Sequence, residues 1–339
     1  MNNNQKNNQK EKLFKVIGSI IILFILINFI PTSYYVMSPG LAQELSPIIT
    51  VKDGYKGQSK GDFLLTAVAS KKATIWDYIY ISLFQPQGKE LDSIQEELPP
   101  GVDMEKYIDI MSELMEESKL HAQAVAFKNA GYDYKVHGEG AQIVEVLEEG
   151  AAVDKLKKGD VITRIDGKEV KFATDAVDLI RKHDIGDRIS ISVLRNEKTK
   201  KFTLKTVEID NSPGQASIGV LITTENLKYE FPREVNFITK NIVGPSAGTV
   251  FALEIYNQLT PEDLTGGKRI AGTGTISSNG TVGEIDGVKQ KVLAAEKVNA
   301  DIFLAPENNY KIAKKTASEI KVISISNFKE ALESLEKLK

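Results

Sequence analysis

Gly244-Pro245-Ser246-Ala247-Gly248, followed by Thr249-Val250-Phe251-Ala252-Leu253-Glu254-Ile255-Tyr256, is the stretch that decides the reading of this 339-residue chain. Small and turn-forming residues bracket the serine, and the run behind it has apolar residues at helical spacing. Ser246 therefore falls at or just before a helix N-terminus. Free backbone N–H groups and the positive end of the helix dipole at such a place stabilise negative charge developing on an attacked carbonyl. A serine hydroxyl is a poor nucleophile until a neighbouring base takes its proton. The chain has 3 histidines, His121, His137 and His183, all upstream and none in a segment built like a catalytic loop.

The segment Asp286-Gly287-Val288-Lys289-Gln290-Lys291-Val292-Leu293-Ala294-Ala295-Glu296-Lys297-Val298 offers a lysine instead. Laid out at about 100° per residue, Val288, Lys291, Val292, Ala294, Ala295 and Val298 share one face, and Lys289, Gln290, Glu296 and Lys297 the other. Lys291 is the lysine turned inward. Burial penalises the ammonium form and lowers a lysine pKa from roughly 10.4 by several units, making a neutral amine available as a general base. A lysine at the edge of an apolar arc also snorkels its charge to water, and glycine-bracketed serines occur in ordinary turns. Neither segment decides the function alone.

Taken together these segments resemble the proteolytic domain of the Lon family. Gly244 to Gly248 is similar to that family's serine motif, Gly272-Thr273-Gly274 to its T-G strand motif, and Gly287 to Ala295 to its lysine helix, in which the second lysine is catalytic. The resemblance implies Ser246 as nucleophile, Lys291 as base and Thr273 as a hydrogen-bonding support of the lysine amine, with Gly244, Pro245 and Ala247 shaping the serine turn. As a β-branched residue, Thr273 equally suits a strand. Upstream, Gly61-Asp62-Phe63-Leu64-Leu65-Thr66-Ala67-Val68 and Leu114 to Ala126 resemble the opening strand and first helix of the same domain, with Ala67 where a glycine is usual. The longer gap between them, about Ser70 to Met111, holds Trp76 to Phe84 and the Pro99-Pro100-Gly101 turn and has no assigned role.

A different pattern lies between. Gly140-Ala141-Gln142-Ile143-Val144-Glu145-Val146 alternates as a strand does, and Leu156-Lys157-Lys158-Gly159-Asp160-Val161-Ile162-Thr163-Arg164-Ile165-Asp166-Gly167-Lys168-Glu169-Val170 holds a hairpin turn signal at Asp166-Gly167. This resembles the PDZ domains of bacterial HtrA-like proteases. The resemblance implies a helix over Asp175 to His183 beside a peptide groove, a closing hairpin from Arg188 to Lys205, and a carboxylate-binding loop around His137 to Ala141. Such a domain binds an extended chain at a sheet edge. Ser212-Pro213-Gly214 reads as the exit from it.

At the N-terminus, Lys6, Lys10, Lys12 and Lys15 against Glu11 form a basic flank, and Val16 to Val36 carries no charge, enough for one membrane-spanning helix. No small-residue cleavage site closes the apolar run, which favours an uncleaved anchor over a signal peptide. The basic flank places the N-terminus in the cytoplasm and the rest outside.

Exclusions narrow the reading further. Absence of cysteine removes disulfides and thiolate metal sites. No G-x-x-x-x-G-K-[ST] and no H-E-x-x-H occur, so no nucleotide, metal or other cofactor is expected. A formal net charge of −3 argues against a nucleic-acid partner.

The expected architecture is an α/β (α+β) Lon-type proteolytic domain with an inserted mostly-β PDZ domain behind one transmembrane helix. Its divisions are a stub (1–15), the anchor (16–36), the first part of the proteolytic domain (37–130), the PDZ domain (131–210) and the catalytic part (211–339). This order is similar to membrane-anchored PDZ-containing Lon-type serine proteases of Gram-positive bacteria. The resemblance implies an ATP-independent endopeptidase acting on exported peptides or flexible segments, which the PDZ groove recruits. An anchored, non-catalytic PDZ scaffold and a secreted chaperone are the rival readings.

Overall fold

The computed structural model describes residues 15–19, 30–55, 60–93, 104–148, 150–209, 214–239 and 242–338. The chain divides into two compact units, Met1–Asp133 with Pro232–Lys339, and Tyr134–Phe231.

The N-terminal piece of the first unit holds strands β1 (Pro31–Glu44), β2 (Ile49–Val51) and β3 (Asp62–Thr74), helix α1 (Ile75–Phe84), strand β4 (Glu90–Ser93) and helix α2 (Met104–Asn129). β1 lies antiparallel between β3 and β4. The expected anchor is shortened as a result. Residues 20–29 of it lie outside the described residues, and no helix among the described residues is long and apolar enough to cross a membrane. Its last six positions, 31–36, are strand, because Thr32, Tyr34, Tyr35 and Val36 favour a pleated surface and Val36 is buried against the sheet.

The second unit runs through β5 (Lys135–His137), β6 (Ala141–Val146), β7 (Val161–Ile165), β8 (Lys168–Glu169), helix α3 (Ala173–Ile180), β9 (Arg188–Arg195), β10 (Lys198–Lys205), β11 (Val220–Thr224) and β12 (Lys228–Glu230). Asp166 and Gly167 both have positive φ, 47° and 78°, as a two-residue hairpin between β7 and β8 requires. The main sheet has the order β10-β9-β7-β6-β11, with β8 on β7. Ile143, Ile162, Ile165, Ile189, Ile191 and Val193 fill its core.

The expected exit at Ser212-Pro213-Gly214 is wrong. Past residues 210–213, which lie outside the described set, Ser217 bridges back to Val207 and β11 pairs with β6 from Val220↔Val146 to Thr224↔Ala141. The unit therefore ends at Phe231, not at 210. The misreading has a plain cause: turn residues mark a reversal of the chain and do not reveal whether it leaves the sheet or returns to it.

The C-terminal piece of the first unit holds β13 (Val235–Phe237), a 3₁₀ turn (Pro245–Ala247), α4 (Gly248–Leu259), β14 (Arg269–Gly272), β15 (Thr275–Ile276), β16 (Val282–Gly283), α5 (Val288–Lys297), β17 (Ile302–Pro306), α6 (Glu307–Thr316), β18 (Lys321–Ile325) and α7 (Phe328–Glu336). β14 unites the two pieces. It runs parallel to β3 on one side and to β17 on the other, in a six-stranded sheet ordered β18-β17-β14-β3-β1-β4. Every residue of α4 except Tyr256 is buried, which marks it as the central helix of the unit. α7 is capped by Asn327, whose side chain accepts from the Glu330 N–H at 2.9 Å.

Candidate active site

Gly244 has φ 91°, a conformation that a side chain at Cβ resists, and it starts the turn that presents Ser246. The turn is clamped by α2 at two points. The Gly244 N–H donates to the Met111 carbonyl at 2.9 Å, and Ser118 Oγ donates to the Pro245 carbonyl at 3.0 Å. α2 comes so close that a Cβ at Gly248 would stand 2.6 Å from Ser118 Oγ and 2.7 Å from Ile276 Cγ2. From the opposite side the Gly274 N–H donates to the Ser246 carbonyl at 2.8 Å and Thr273 Oγ1 to the same oxygen at 3.0 Å. The half-buried Ser246 side chain is thereby fixed in direction before any substrate arrives.

Lys291 reaches the turn from α5. Its Nζ lies 2.6 Å from Ser246 Oγ and 3.0 Å from Thr273 Oγ1. Lys291 is 3% exposed and Thr273 wholly buried. Burial pulls the lysine pKa down to about 8, while the charge of Asp286 acts in the opposite direction. Thr273 stands just past the C-terminal end of the parallel strand β14, its N–H held by the Leu304 carbonyl at 3.1 Å. The three residues singled out in the sequence therefore converge, although they come from a turn, a strand end and a helix. Gly244, Pro245 and Ala247 flank the serine in this turn. None of the three histidines joins them: His121 lies by Glu117 on α2, and His137 and His183 belong to the second unit.

Two features escaped the sequence reading. Gln290, assigned to the outer face of α5, is fully buried and donates to Glu90 Oε2 at 3.0 Å. Glu90 also pairs with Lys289, and these contacts hold its carboxyl below the usual range against the opposing effect of burial. A helical wheel distributes residues around an axis but cannot supply the edge strand, β4, that covers a second side. The other feature is Ser118, legible only as part of a helix motif, whose hydroxyl fastens the nucleophile turn.

In the second unit the expected carboxylate-binding loop leads into a strand that is paired on both sides. β6, which follows His137 to Ala141, has β7 on one side and β11 on the other, so it offers no open edge. The edge strands are β10 and β11, and the α3 N-terminus touches β11 where the Ala173 N–H donates to Thr224 Oγ1 at 3.0 Å.

The family model of the Lon protease (S16) C-terminal proteolytic domain matches residues 238–337, and the PDZ domain model matches residues 123–206. The Lon protease of Trichlorobacter lovleyi is 35% identical over 99 residues, 28% of this chain and 12% of that protein. Lon protease 2 of Bacillus subtilis is 35% identical over 96 residues, 28% of this chain and 17% of that protein. A serine protease Do-like HtrA of Lactobacillus helveticus is 26% identical over 118 residues, 31% of this chain and 29% of that protein. The chain spans less than a third of the length of each of these relatives. It carries a PDZ domain and, C-terminal to it, a Lon-type proteolytic domain.

Proposed function

We propose that the chain is an ATP-independent serine endopeptidase in which Ser246 is the nucleophile and Lys291 its general base. The observation that carries the reading is the 2.6 Å contact between the Ser246 hydroxyl and a buried lysine whose pKa is drawn to about 8. Neutral Lys291 takes the Oγ proton as Ser246 attacks the peptide carbonyl, and Thr273 Oγ1 keeps the amine aimed. The resulting ammonium protonates the leaving amine, and water then hydrolyses the acyl-enzyme with the lysine again as base.

The oxyanion is held at the serine turn. Pro245 has no N–H, Gly244's goes to Met111 and Thr249's to Gly274, Gly248's goes to Pro245, and in a 3₁₀ turn over Pro245–Ala247 the Ala247 N–H is the one that reaches back three residues. Ser246's own N–H is the donor this accounting leaves. Turnover of a fluorogenic peptide tests the mechanism: Ser246→Ala and Lys291→Arg are each expected to lose at least about 10⁴-fold in kcat/KM, since guanidinium does not deprotonate. Retained turnover by purified Ser246→Ala overturns it.

Substrates in this reading are exported peptides, loops or disordered tails, because the sequence holds no phosphate-binding loop to drive unfolding. The PDZ domain takes an extended segment along β11 and raises its local concentration. Excising Tyr134–Phe231, so that a short linker joins Asp133 to Pro232, is expected to raise the KM of a long substrate about tenfold or more and to leave a short peptide unaffected. The 16–30 segment, with the sheet beginning at Pro31, is proposed as an uncleaved anchor. The folded domains then stand outside, and a reporter active only in the cytoplasm, fused after Lys339, is expected to stay silent.

A further inference from the structure

We propose that α1 is a membrane-interface helix, lying flat on the bilayer surface beside the anchor and setting how the proteolytic unit stands over the lipid. This rests on the anchor reading. In α1, Trp76, Ile79, Tyr80, Leu83 and Phe84 recur at i, i+3, i+4, i+7 and i+8, the spacing that places an apolar stripe on one face. A helix on a globular unit normally turns such a stripe to the core. Here the buried residue is Ile81, on another face, and the stripe turns outward toward its C-terminal end: Trp76 is half-buried, while Tyr80 is 47% exposed, Leu83 72% and Phe84 71%. The direction is fixed and not a fraying effect, because a capping box between Thr74 and Asp77 locks the first turn and Tyr78 on a different side packs against Tyr34, ring centroids 5.1 Å apart.

Position identifies what covers the stripe. Pro31 pairs with Thr74, so the first residue of β1 stands opposite the N-cap of α1, and the apolar segment ending at Ile30 enters the sheet at that end with no linker. An anchor joined to the sheet without a linker holds this end of the sheet near the lipid. The composition fits that depth. Tryptophan and tyrosine concentrate at the headgroup level, and a stripe of this kind in a surface helix seats at the boundary of headgroups and acyl chains.

The charges agree with an anionic surface. Lys72 is exposed beside the helix start, and Lys89 follows it with Nζ 5.8 Å from the Tyr80 ring centroid. The carboxylate within α1, Asp77, is bound to Lys71 and to Thr74. Glu90, beyond Lys89, is engaged by Lys289 and Gln290.

Trp76 is the only tryptophan of the chain (Trp 1), so its fluorescence reports on α1 alone. The full chain is reconstituted in vesicles of phosphatidylcholine and phosphatidylglycerol, with or without bromine on the acyl chains near the headgroup. Emission is expected to shift to the blue on reconstitution and to fall about twofold with the brominated lipid. In Leu83→Glu/Phe84→Glu, both sites being exposed, quenching is expected to disappear while the circular dichroism spectrum is retained. Unquenched Trp76 in a chain that sediments with the vesicles overturns the role of α1 and leaves the anchor standing. Failure to sediment overturns both. Quenching that survives the double variant unchanged, or a blue shift that depends on protein concentration and not on bromine, overturns the proposal in favour of simple proximity or a second copy.

Discussion

Ser246, Thr273 and Lys291 come from three separate segments of the first unit, and each segment carries a pattern of its own. In the second unit, β11 carries none, and it is recognised by what its neighbours leave open. The difference lies in what the two places have to hold. A hydroxyl attacking a carbonyl needs a particular oxygen within hydrogen-bond reach of a particular nitrogen, so residue identity at each position is constrained. A sheet edge that accepts an extended chain uses its own N–H and C=O groups, which every residue except proline supplies in full, so only topology distinguishes it. The same contrast separates α5, with its lysine at 3% exposure, from α1, whose apolar stripe is regular in sequence but turned outward in the fold.

The strongest way to break this comparison is to unfold one unit and watch the other. Asp160, buried in the second unit, accepts 2.6 Å hydrogen bonds from Arg195 Nε and Nη2 and one from the Lys157 N–H at 2.9 Å. Burial pushes its pKa up, and these partners more than offset that and hold it low. Asp160→Ala leaves the guanidinium with the Lys155 carbonyl as its remaining hydrogen-bond partner and is expected to cost about 3–5 kcal/mol. In calorimetry one thermal transition is expected to fall, with the other transition and turnover of a short peptide retained. Loss of both together would join the units into one cooperative body.

Next in size is a buried carboxyl in the first unit that the proposed chemistry does not use. Glu254 on α4 accepts from Gln258 Nε2 at 2.6 Å, and burial raises its pKa from 4.5 to about 7. The folded state then binds more protons than the unfolded state between these values, so stability is greatest below 4.5 and falls as pH rises through 7. The loss amounts to about 3 kcal/mol above that window. Glu254→Gln is expected to remove this slope and to raise the melting temperature at pH 8. A melting temperature at pH 8 equal to that of the parent protein counts against it.

Smaller again is the effect of pH on rate. With Lys291 near 8, the neutral amine is a minor form at pH 6, and kcat/KM on a short peptide is expected to rise about tenfold per pH unit up to about 8 and then level off. A profile that levels off below pH 6 would remove the lysine as base. Smallest is the neighbouring lysine: Lys289 is half exposed and its pair with Glu90 lies at the surface, so Lys289→Ala is expected to cost about 0–1 kcal/mol in thermal stability and to leave turnover near that of the parent. A loss comparable to that of Lys291→Ala would mean that β4 positions the amine through this pair.

Much of the site was legible because local rules and chemistry coincide there. Glycine at a positive φ, a serine before a buried helix and a lysine on an apolar arc are separate signals, and each survives in the fold. Local signals also end the C-terminal piece, where α7 (Phe328–Glu336) starts behind the Asn327 side-chain cap. What failed were statements about neighbours. Gln290 was read as solvated because periodicity describes a helix in isolation, and the end of the second unit was read at Ser212-Pro213-Gly214 because a turn carries no information about the strand it leads to.

Sequence by itself determined the residue types and local conformations: which serine begins a helix, which lysine faces inward, where a hairpin turns and where charge is absent. Those properties depend on side-chain chemistry and on φ, ψ preferences within a few residues. Only the tertiary structure decided that Lys291 Nζ lies 2.6 Å from Ser246 Oγ across 45 residues of chain, that β14 seats itself on β3 and so joins the two pieces of the first unit, that β11 is an edge, and that the stripe of α1 is left uncovered. Each of these is a pairing between segments distant in sequence. Pairing is set by which surfaces remain to be buried once every other element has been placed, a quantity that no single segment contains.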